Sequence, residues 1–315
     1  MPRIDYNARN FSTQYGTNLS GQNTLVISWA ELIWAAISVG RAELFHIIRH
    51  GRYSIFEISY RTSILFANLC EDCNGHLIRS SAYVGLDPSE KSAISYFLGL
   101  TMTKVFCARI LTIPWLMHLD VYREILQPEL RNTRSRPDLI GKNNQGEWVV
   151  LESKGRTNGF DRRALQRAKE QAQQVQTISG EIPTLRIGLQ VHFERGILHL
   201  EVDDPNPKKG QEFEIPIPNE KFFDGYYRPF RKWLSDGETA SFFNTQYRQS
   251  RISSTDISVG LADFLFEGHD DFPNWKSDSL VSEDGNTFAA RDGLLVTTGP
   301  LWSRKNMLLE PQERV

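Results

Sequence analysis

Apolar residues recur at helical intervals along SWAELIWAAISVGRAELFHIIRH, residues 28–50, and Ser28 with Glu31 makes a capping box, so this stretch predicts a helix. Gly51 breaks the pattern, and SIFEISYRTSILFANLCED reads as a second helix with Gly75 beyond its end. The first 22 residues are polar, contain Gly16 and Gly21, and show no clear period; a loosely ordered arm is expected there. Asp87-Pro88-Ser89-Glu90 has the form of a helix start, with Pro in the first turn and acids near the positive end of the dipole. The strongly apolar SAISYFLGLTMTKVFCARIL then predicts a well-buried helix with a break near Gly99. Pro114 interrupts, and WLMHLDVY has strand character.

After residue 130 the period changes. PDLIG and EWVVLESKG are short strand-like runs separated by KNNQG, which is turn chemistry. FDRRALQRAKEQAQQVQTI predicts an amphipathic helix with Phe160, Leu165, Ala168, Ala172, Val175 and Ile178 on one face. LRIGLQVHF and ILHLEV are again strands, and the order strand, hairpin, strand, helix, strand is that of a mixed α/β unit. Pro205, Pro207, Lys208, Lys209 and Gly210 mark a turn or linker. The last hundred residues are acidic and irregular in pattern, ending in a hairpin over NTFAARDGLLVTTG. The expected division is a helical region over 1–85, an α/β core over 86–205 and a C-terminal region of unassigned role over 206–315.

Composition adds little to class: 40% hydrophobic and 23% charged residues are ordinary for a water-soluble chain of 315 residues. No run approaches ~20 uninterrupted apolar residues, so no membrane partner is expected. The polar start lacks a secretory pattern, and three cysteines do not make a disulfide framework, so the cytoplasm is the expected compartment. Charge is unevenly spread. Residues 1–120 carry 10 Lys/Arg against 9 Asp/Glu, residues 121–195 carry 13 against 9, and residues 196–315 carry 13 against 20. The basic surplus in the middle suits a polyanion or, equally, a solvated helix face.

That middle block contains RPDLIGKNNQGEWVVLESKGR. On a strand through Trp148–Lys154, Glu152 and Lys154 project from one face, because side chains alternate. A turn centred on Gln145 would place opposite one another residues whose numbers sum to 290, so Asp138 would face Glu152 with Cβ atoms ~5 Å apart. Two carboxylates at that spacing repel unless a cation lies between them. Hydrolysing a phosphodiester needs hard cations with oxygen ligands, plus a group that orients or deprotonates water, and this segment offers both. A plain surface hairpin with a Glu152–Lys154 ion pair is the alternative.

Pro137-Asp138, thirteen residues, then Glu152-Ser153-Lys154 resembles the PD-(D/E)xK superfamily, the restriction-endonuclease-like nucleases, over roughly residues 86–203. The resemblance implies a mixed-sheet core flanked by helices, Asp138 and Glu152 as ligands of Mg²⁺ or Mn²⁺, and Lys154 as the water-activating residue. It also implies an endonuclease acting on DNA in restriction, repair or defence; whether the partners include a second copy, as a homo-oligomer, or an activating protein stays open. Arg156, Arg162 and Arg163 are candidate phosphate contacts. Many members carry a further acid on the preceding helix; GLTMTKVFCARIL has none, leaving Glu90, Asp120 or Glu124, while Gln171 or Gln174 matches a Gln used by some members. The missing acid motivates the alternative of a catalytically silent nucleic-acid-binding or assembly subunit.

Other signals compete. His46, His50, Cys70 and Cys73 form a possible zinc set, though their order matches no finger pattern. His192 and His199 lie on strands with no assigned role. Phe222, Phe223, Tyr226, Tyr227, Phe230 and Trp233 interleave with Arg228, Arg231 and Lys232, as in a base-stacking surface or a helix packing its aromatic face inward. No nucleotide-binding phosphate loop and no serine nucleophile elbow is present.

Overall fold

A computed structural model describes residues 1–15, 19–39, 53–119, 137–205, 213–217, 219–267 and 278–303. The protein is α/β, with a mixed sheet at its centre. Strands β1 (Arg3–Arg9) and β2 (Gly21–Val26) pair antiparallel, followed by α1 (Trp29–Ser38) and α2 (Tyr53–Asn68). The short hairpin β3 (Leu69–Glu71) and β4 (Leu77–Arg79) leads through α3 (Ser81–Gly85) to α4 (Pro88–Ile110). Then come β5 (Trp115–His118), β6 (Leu139–Lys142), β7 (Trp148–Gly155), α5 (Arg162–Gln173), β8 (Val175–Ile178), β9 (Leu185–Glu194) and β10 (Ile197–Asp203). The sheet runs β2-β1-β10-β9-β7-β6-β5, with β3 and β4 attached at β10. β7 runs parallel to β9 and β1 parallel to β10; the other neighbours in this path are antiparallel.

The arm expected at the start is thus two strands. Ile4, Tyr6 and Ala8 alternate with polar residues and are buried, a two-residue period in RIDYNAR that becomes decisive once β10 and β2 supply partners on both sides. The division at residue 85 falls inside this assembly, because β1 and β10 share a ladder and one hydrophobic cluster runs through all three stretches of sequence.

α1 ends at Ser38, and residues 40–52, with His46 and His50, lie outside the described residues. Ser28 accepts from Glu31 N as expected of a cap, but the Glu31 side chain is buried 3.5 Å from Arg109 Nε instead of completing a box. Cys70 sits on β3, and Cys73 follows in the turn, so the C-x2-C lies on a hairpin and not a helix. A box does close at Asp87 and Glu90, which fixes the start of α4. α4 runs unbroken through Gly99. By length and hydropathy it is the one helix, among the described residues, that could cross a membrane, although polar residues interrupt its apolar ones. Its residues from Leu98 to Cys107 are buried within the protein.

Gly99 is a contact point and not a hinge. A Cβ there would lie 2.9 Å from Gly155 N, and a Cβ on Gly155 would lie 1.7 Å from Ser95 O. The helix backbone therefore rests on the end of β7, where Thr103 also donates to Ser153 at 2.9 Å. Since backbone cannot yield as a side chain does, Gly155→Ala is expected to cost at least about 2 kcal/mol, read as a lowered urea midpoint. An unchanged midpoint would mean that the contact is looser than this.

The amphipathic helix after β7 is shorter than its apolar pattern. α5 stops at Gln173, Gln174 caps it, and Val175–Ile178 form β8, paired in parallel with β11 (Phe213–Ile215). β-branched Val175, Thr177 and Ile178 suit a strand, and the partner decides between two patterns that both fit. Phe160 precedes the helix and is 42% exposed.

The C-terminal region is not irregular. After α6 (Asn219–Trp233) come β12 (Glu238–Phe242), β13 (Thr245–Ile252), β14 (Ile257–Ala262), β15 (Leu280–Val281), β16 (Thr287–Ala289), β17 (Leu294–Thr298) and α7 (Pro300–Ser303). They build an antiparallel sheet in the order β12-β13-β14-β17-β16-β15. The expected hairpin is β16–β17. α6 turns its aromatic residues inward: Phe222 packs on Trp148, Phe223 on Trp115, and Tyr226, Tyr227 and Phe230 are buried. These rings are core and are not available as a stacking surface.

Candidate functional site

The hairpin β6–β7 sets the geometry. Asn143 Oδ1 accepts from Gln145 N and Glu147 N, both at 2.9 Å, which closes the turn on Gln145. The ladder pairs Leu139 with Leu151, Ile140 with Val150 and Gly141 with Val149, each summing to 290 as the turn predicts. Beyond the last pair, side chains continue the ladder. Asp138 N donates to Glu152 Oε2 at 2.7 Å, and Ser153 N donates to Asp138 Oδ2 at 3.3 Å. Leu119 N also donates to Asp138 O at 2.9 Å, tying β5 to the same point. The two carboxylates are thereby strapped together at one end of three adjacent strands.

Lys154 Nζ donates to Glu152 Oε1, so all three residues form one cluster. Glu152 is 1% exposed, a departure from the open carboxylate expected of a surface hairpin. Burial pushes its carboxyl up to about 7; the charge of Asp138 pushes the same way, and the Lys154 ammonium opposes both. An acid held at that value exchanges its proton near neutral pH, or gives it up to a cation.

The face carrying Glu152 and Lys154 is the one on which α5 lies. Gly188, opposite Glu152 on β9, has no side chain because Lys169 of α5 sits there: a Cβ would meet Lys169 N at 2.8 Å. Gln190, opposite Lys154 and fully buried, donates to Asp161 O and accepts from Asp161 N, both at 2.8 Å. This two-bond clamp fixes the start of α5 beside Lys154. Gln190 and Gly188 have the roles most easily passed over in the sequence; the signal is a Gln flanked by Leu189 and Val191 in a buried strand.

The remaining candidates divide. Arg156 makes an ion pair with Asp161 at 3.1 Å, and Arg162 and Arg163 stand exposed in the first turn of α5. Asp161 already accepts from Arg163 N and Ala164 N, so these N–H groups are capped by the chain itself and are not open for a phosphate. Glu90 serves the cap of α4. Gln171 lies in the last turn of α5 and Gln174 caps it, both beyond Lys169 and away from the Lys154 end. Asp120 and Glu124 lie outside the described residues. His118 of β5 bonds Tyr96 of α4 at 3.0 Å, on the sheet face opposite Glu152.

Asp138 and Glu152 present hard oxygen donors that already repel one another, which is the donor set for Mg²⁺ or Mn²⁺. Among the described residues no group of three or more His, Cys, Asp and Glu converges on one point. A small cation here would keep water in most of its positions, as Mg²⁺ usually does. No protein-family model, no curated protein and no solved structure matches this chain.

Proposed function

We propose that the protein is a metal-dependent phosphodiesterase acting on DNA, with Asp138, Glu152 and Lys154 as its active site. The observation that carries this reading is the strap between Asp138 and Glu152, which sets two carboxylates and one ammonium on the same strand ends. The order α4, β5, β6, β7, α5, β9, with β7 parallel to β9, supports a restriction-endonuclease-like core, and restriction or defence against foreign DNA is the setting that goes with it.

In this reading Asp138 and Glu152 hold Mg²⁺, which when bound would neutralise phosphate charge and lower the pKa of water. With an ion held there, Glu152 would be ionised and turned to it, and Lys154, no longer paired with Glu152, would orient water and offset charge growing on the phosphate. Lys154→Ala should lower turnover at least about a hundredfold with binding retained, and Lys154→Arg should rescue it poorly, because a guanidinium is neither compact nor deprotonatable. Full activity in the Arg variant would leave a purely electrostatic role.

Arg162 and Arg163, exposed beside this cluster, supply the phosphate contacts. Changing both to Gln should weaken DNA binding about equally across sequences and lower the salt slope by about 0.9 for each lost contact. Titrations at several salt concentrations with Ca²⁺ in place of Mg²⁺ measure this; an unchanged slope would return both residues to an ordinary solvated face.

One observation favours a second reading, a silent nucleic-acid-binding subunit: both Glu152 oxygens are already engaged, by Lys154 and by Asp138 N–H. An assay on single- and double-stranded DNA and RNA with Mg²⁺, Mn²⁺ or EDTA decides between the two. Cleavage that EDTA abolishes supports the enzyme; binding to DNA with no cleavage in either metal supports the silent subunit.

A further inference from the structure

Past the end of β7, the sheet face that bears Lys154 continues across β9, β10, β1 and β2. The ladders place His192, His199, Asp5 and Thr24 side by side in one row across these strands, with Gln190, Glu201, Asn7 and Gln22 in the next. These rows line a cleft of about 350 Å³, within the usual range of small-molecule sites. The His192 and His199 rings stack at 5.8 Å with 22° between their planes, and Phe160 packs on His192 at 5.8 Å. His192 lines the cleft at 2% exposure, yet its Nδ1 has no hydrogen-bond partner. A buried ring nitrogen without a partner is costly. Burial and the neighbouring His199 hold it neutral, with its pKa down at about 4.

The chemistry of the walls defines what would fit. His192 is covered by Phe160 and His199, so His199, backed by His192, offers the flat face suited to an aromatic ring. Beside it stand carboxylates, which when ionised accept and do not donate. Glu201 is engaged by Arg9 at 2.8 Å and by Asn7 at 3.1 Å. Asp5 Oδ1 takes the Thr24 hydroxyl at 2.7 Å, while Oδ2 lies 3.8 Å from His76, beyond hydrogen-bond reach. A ring with two adjacent N–H donors would meet Asp5 with both bonds made. Guanine has that edge; uracil flanks its N–H with carbonyls, and adenine has no ring N–H.

We propose that this cleft is a nucleobase site selective for guanine, with His199, backed by His192, as the stacking plate and Asp5 as the acceptor. Ladder spacing puts His192 about 8 Å from Lys154 between Cα atoms, with His199 one strand further, so the sugar and phosphate of a bound guanine nucleotide can run back across β9 toward Lys154 and Arg156. The guanine could belong to a nucleic-acid strand or to a free nucleotide, and the chemistry is the same. The site rests on the sheet and its side chains, not on phosphodiester cleavage, and it is tested without cleavage.

Calorimetric titration of the full chain in EDTA with GMP, AMP and UMP is the test. GMP should bind saturably and at least tenfold tighter than the other two. Asp5→Asn keeps the shape and the Thr24 bond, and should abolish the preference; His199→Ala should weaken GMP at least fivefold while the circular dichroism spectrum stays unchanged. Absence of binding by GMP, equal binding of all three, or a preference that survives Asp5→Asn would overturn the proposal. A thymidine oligonucleotide with one guanine identifies the source: tighter binding than GMP, weakened when Arg162 and Arg163 are both changed to Gln, marks a base within a strand, and binding no tighter than GMP marks a free nucleotide.

Discussion

Glu152→Gln is expected to lower metal-dependent cleavage at least about a thousandfold while making the protein harder to unfold at pH 8. The two effects share one cause. Burial and Asp138 lift the Glu152 carboxyl from the ordinary carboxylate range to about 7, so the folded state holds this proton more tightly than the unfolded chain does. Stability from that tighter proton is complete below pH ~4.5 and is lost as pH rises through about 7. At pH 8 the wild type therefore carries a buried negative charge that the amide removes at nearly constant volume, and the gain should be about 3 kcal/mol in EDTA, with the attraction of Lys154 already included in the value of about 7. At pH 5 the two proteins should melt alike. Activity falls because a neutral amide is a poor ligand for a hard cation. Asp138→Asn should inactivate as well, and the double variant should be little worse than either single one, since groups that act as a unit are not additive. An active Glu152→Gln protein, or one less stable at pH 8, would remove the assigned role.

Lys104→Met should destabilise the protein by about 3–5 kcal/mol. Lys104 is fully buried on α4, donates to Tyr226 at 2.9 Å and to Pro114 O, and lies 4.0 Å from Asp292. Its ammonium also lies over the Trp34 and Tyr226 rings. Asp292, in the β16–β17 loop, accepts from Trp34 Nε1 at 3.0 Å and Leu294 N at 3.0 Å, and Tyr226 donates to it as well. One buried ion pair thus joins α1, α4, α6 and the C-terminal sheet. Burial draws the Lys104 ammonium down to about 8 and lifts the Asp292 carboxyl, with each charge opposing the other's shift. Removing one partner strands the other away from water. Lys104→Met with Asp292→Asn should cost less than the sum of the single changes, because the stranded charge is then gone. Urea unfolding at pH 7 reads all three; a single variant within 1 kcal/mol of wild type would show that the pair contributes nothing.

The hairpin at the centre of the site was legible in the sequence because everything that sets it is local. KNNQG dictates the turn, Asn143 closes it, and the two-residue period then places Glu152 and Lys154 on one face. Elements whose pattern is completed from afar were not legible. β1 alternates over only seven residues within a polar stretch, and its partner β10 lies nearly 200 residues away. β12 and β13 are half-exposed strands such as ETASF and TQYRQSRI, where few apolar residues mark a face and sheet pairing supplies the order. The last turn predicted for α5 fits helix and strand alike until β11 arrives. Within the site, the bonds from Gln190 to Asp161 and the packing of Lys169 on Gly188 depend on the parallel pairing of β7 with β9, which no local spacing reveals. Gly99 drew notice as a break and acts as the place where a helix backbone touches a strand.

That the Asp138–Glu152 pair is a metal site is tested most directly by Mn²⁺ titration, followed by the paramagnetic signal of the free ion. Wild-type protein at pH 8 should show a saturable site whose affinity falls steeply as pH drops from 8 to 6, because Glu152 must lose its proton to bind. Asp138→Asn and Glu152→Gln should each weaken that site at least tenfold, and Glu152→Gln should also flatten the pH dependence. Binding that is equal in all three proteins and indifferent to pH would contradict the account.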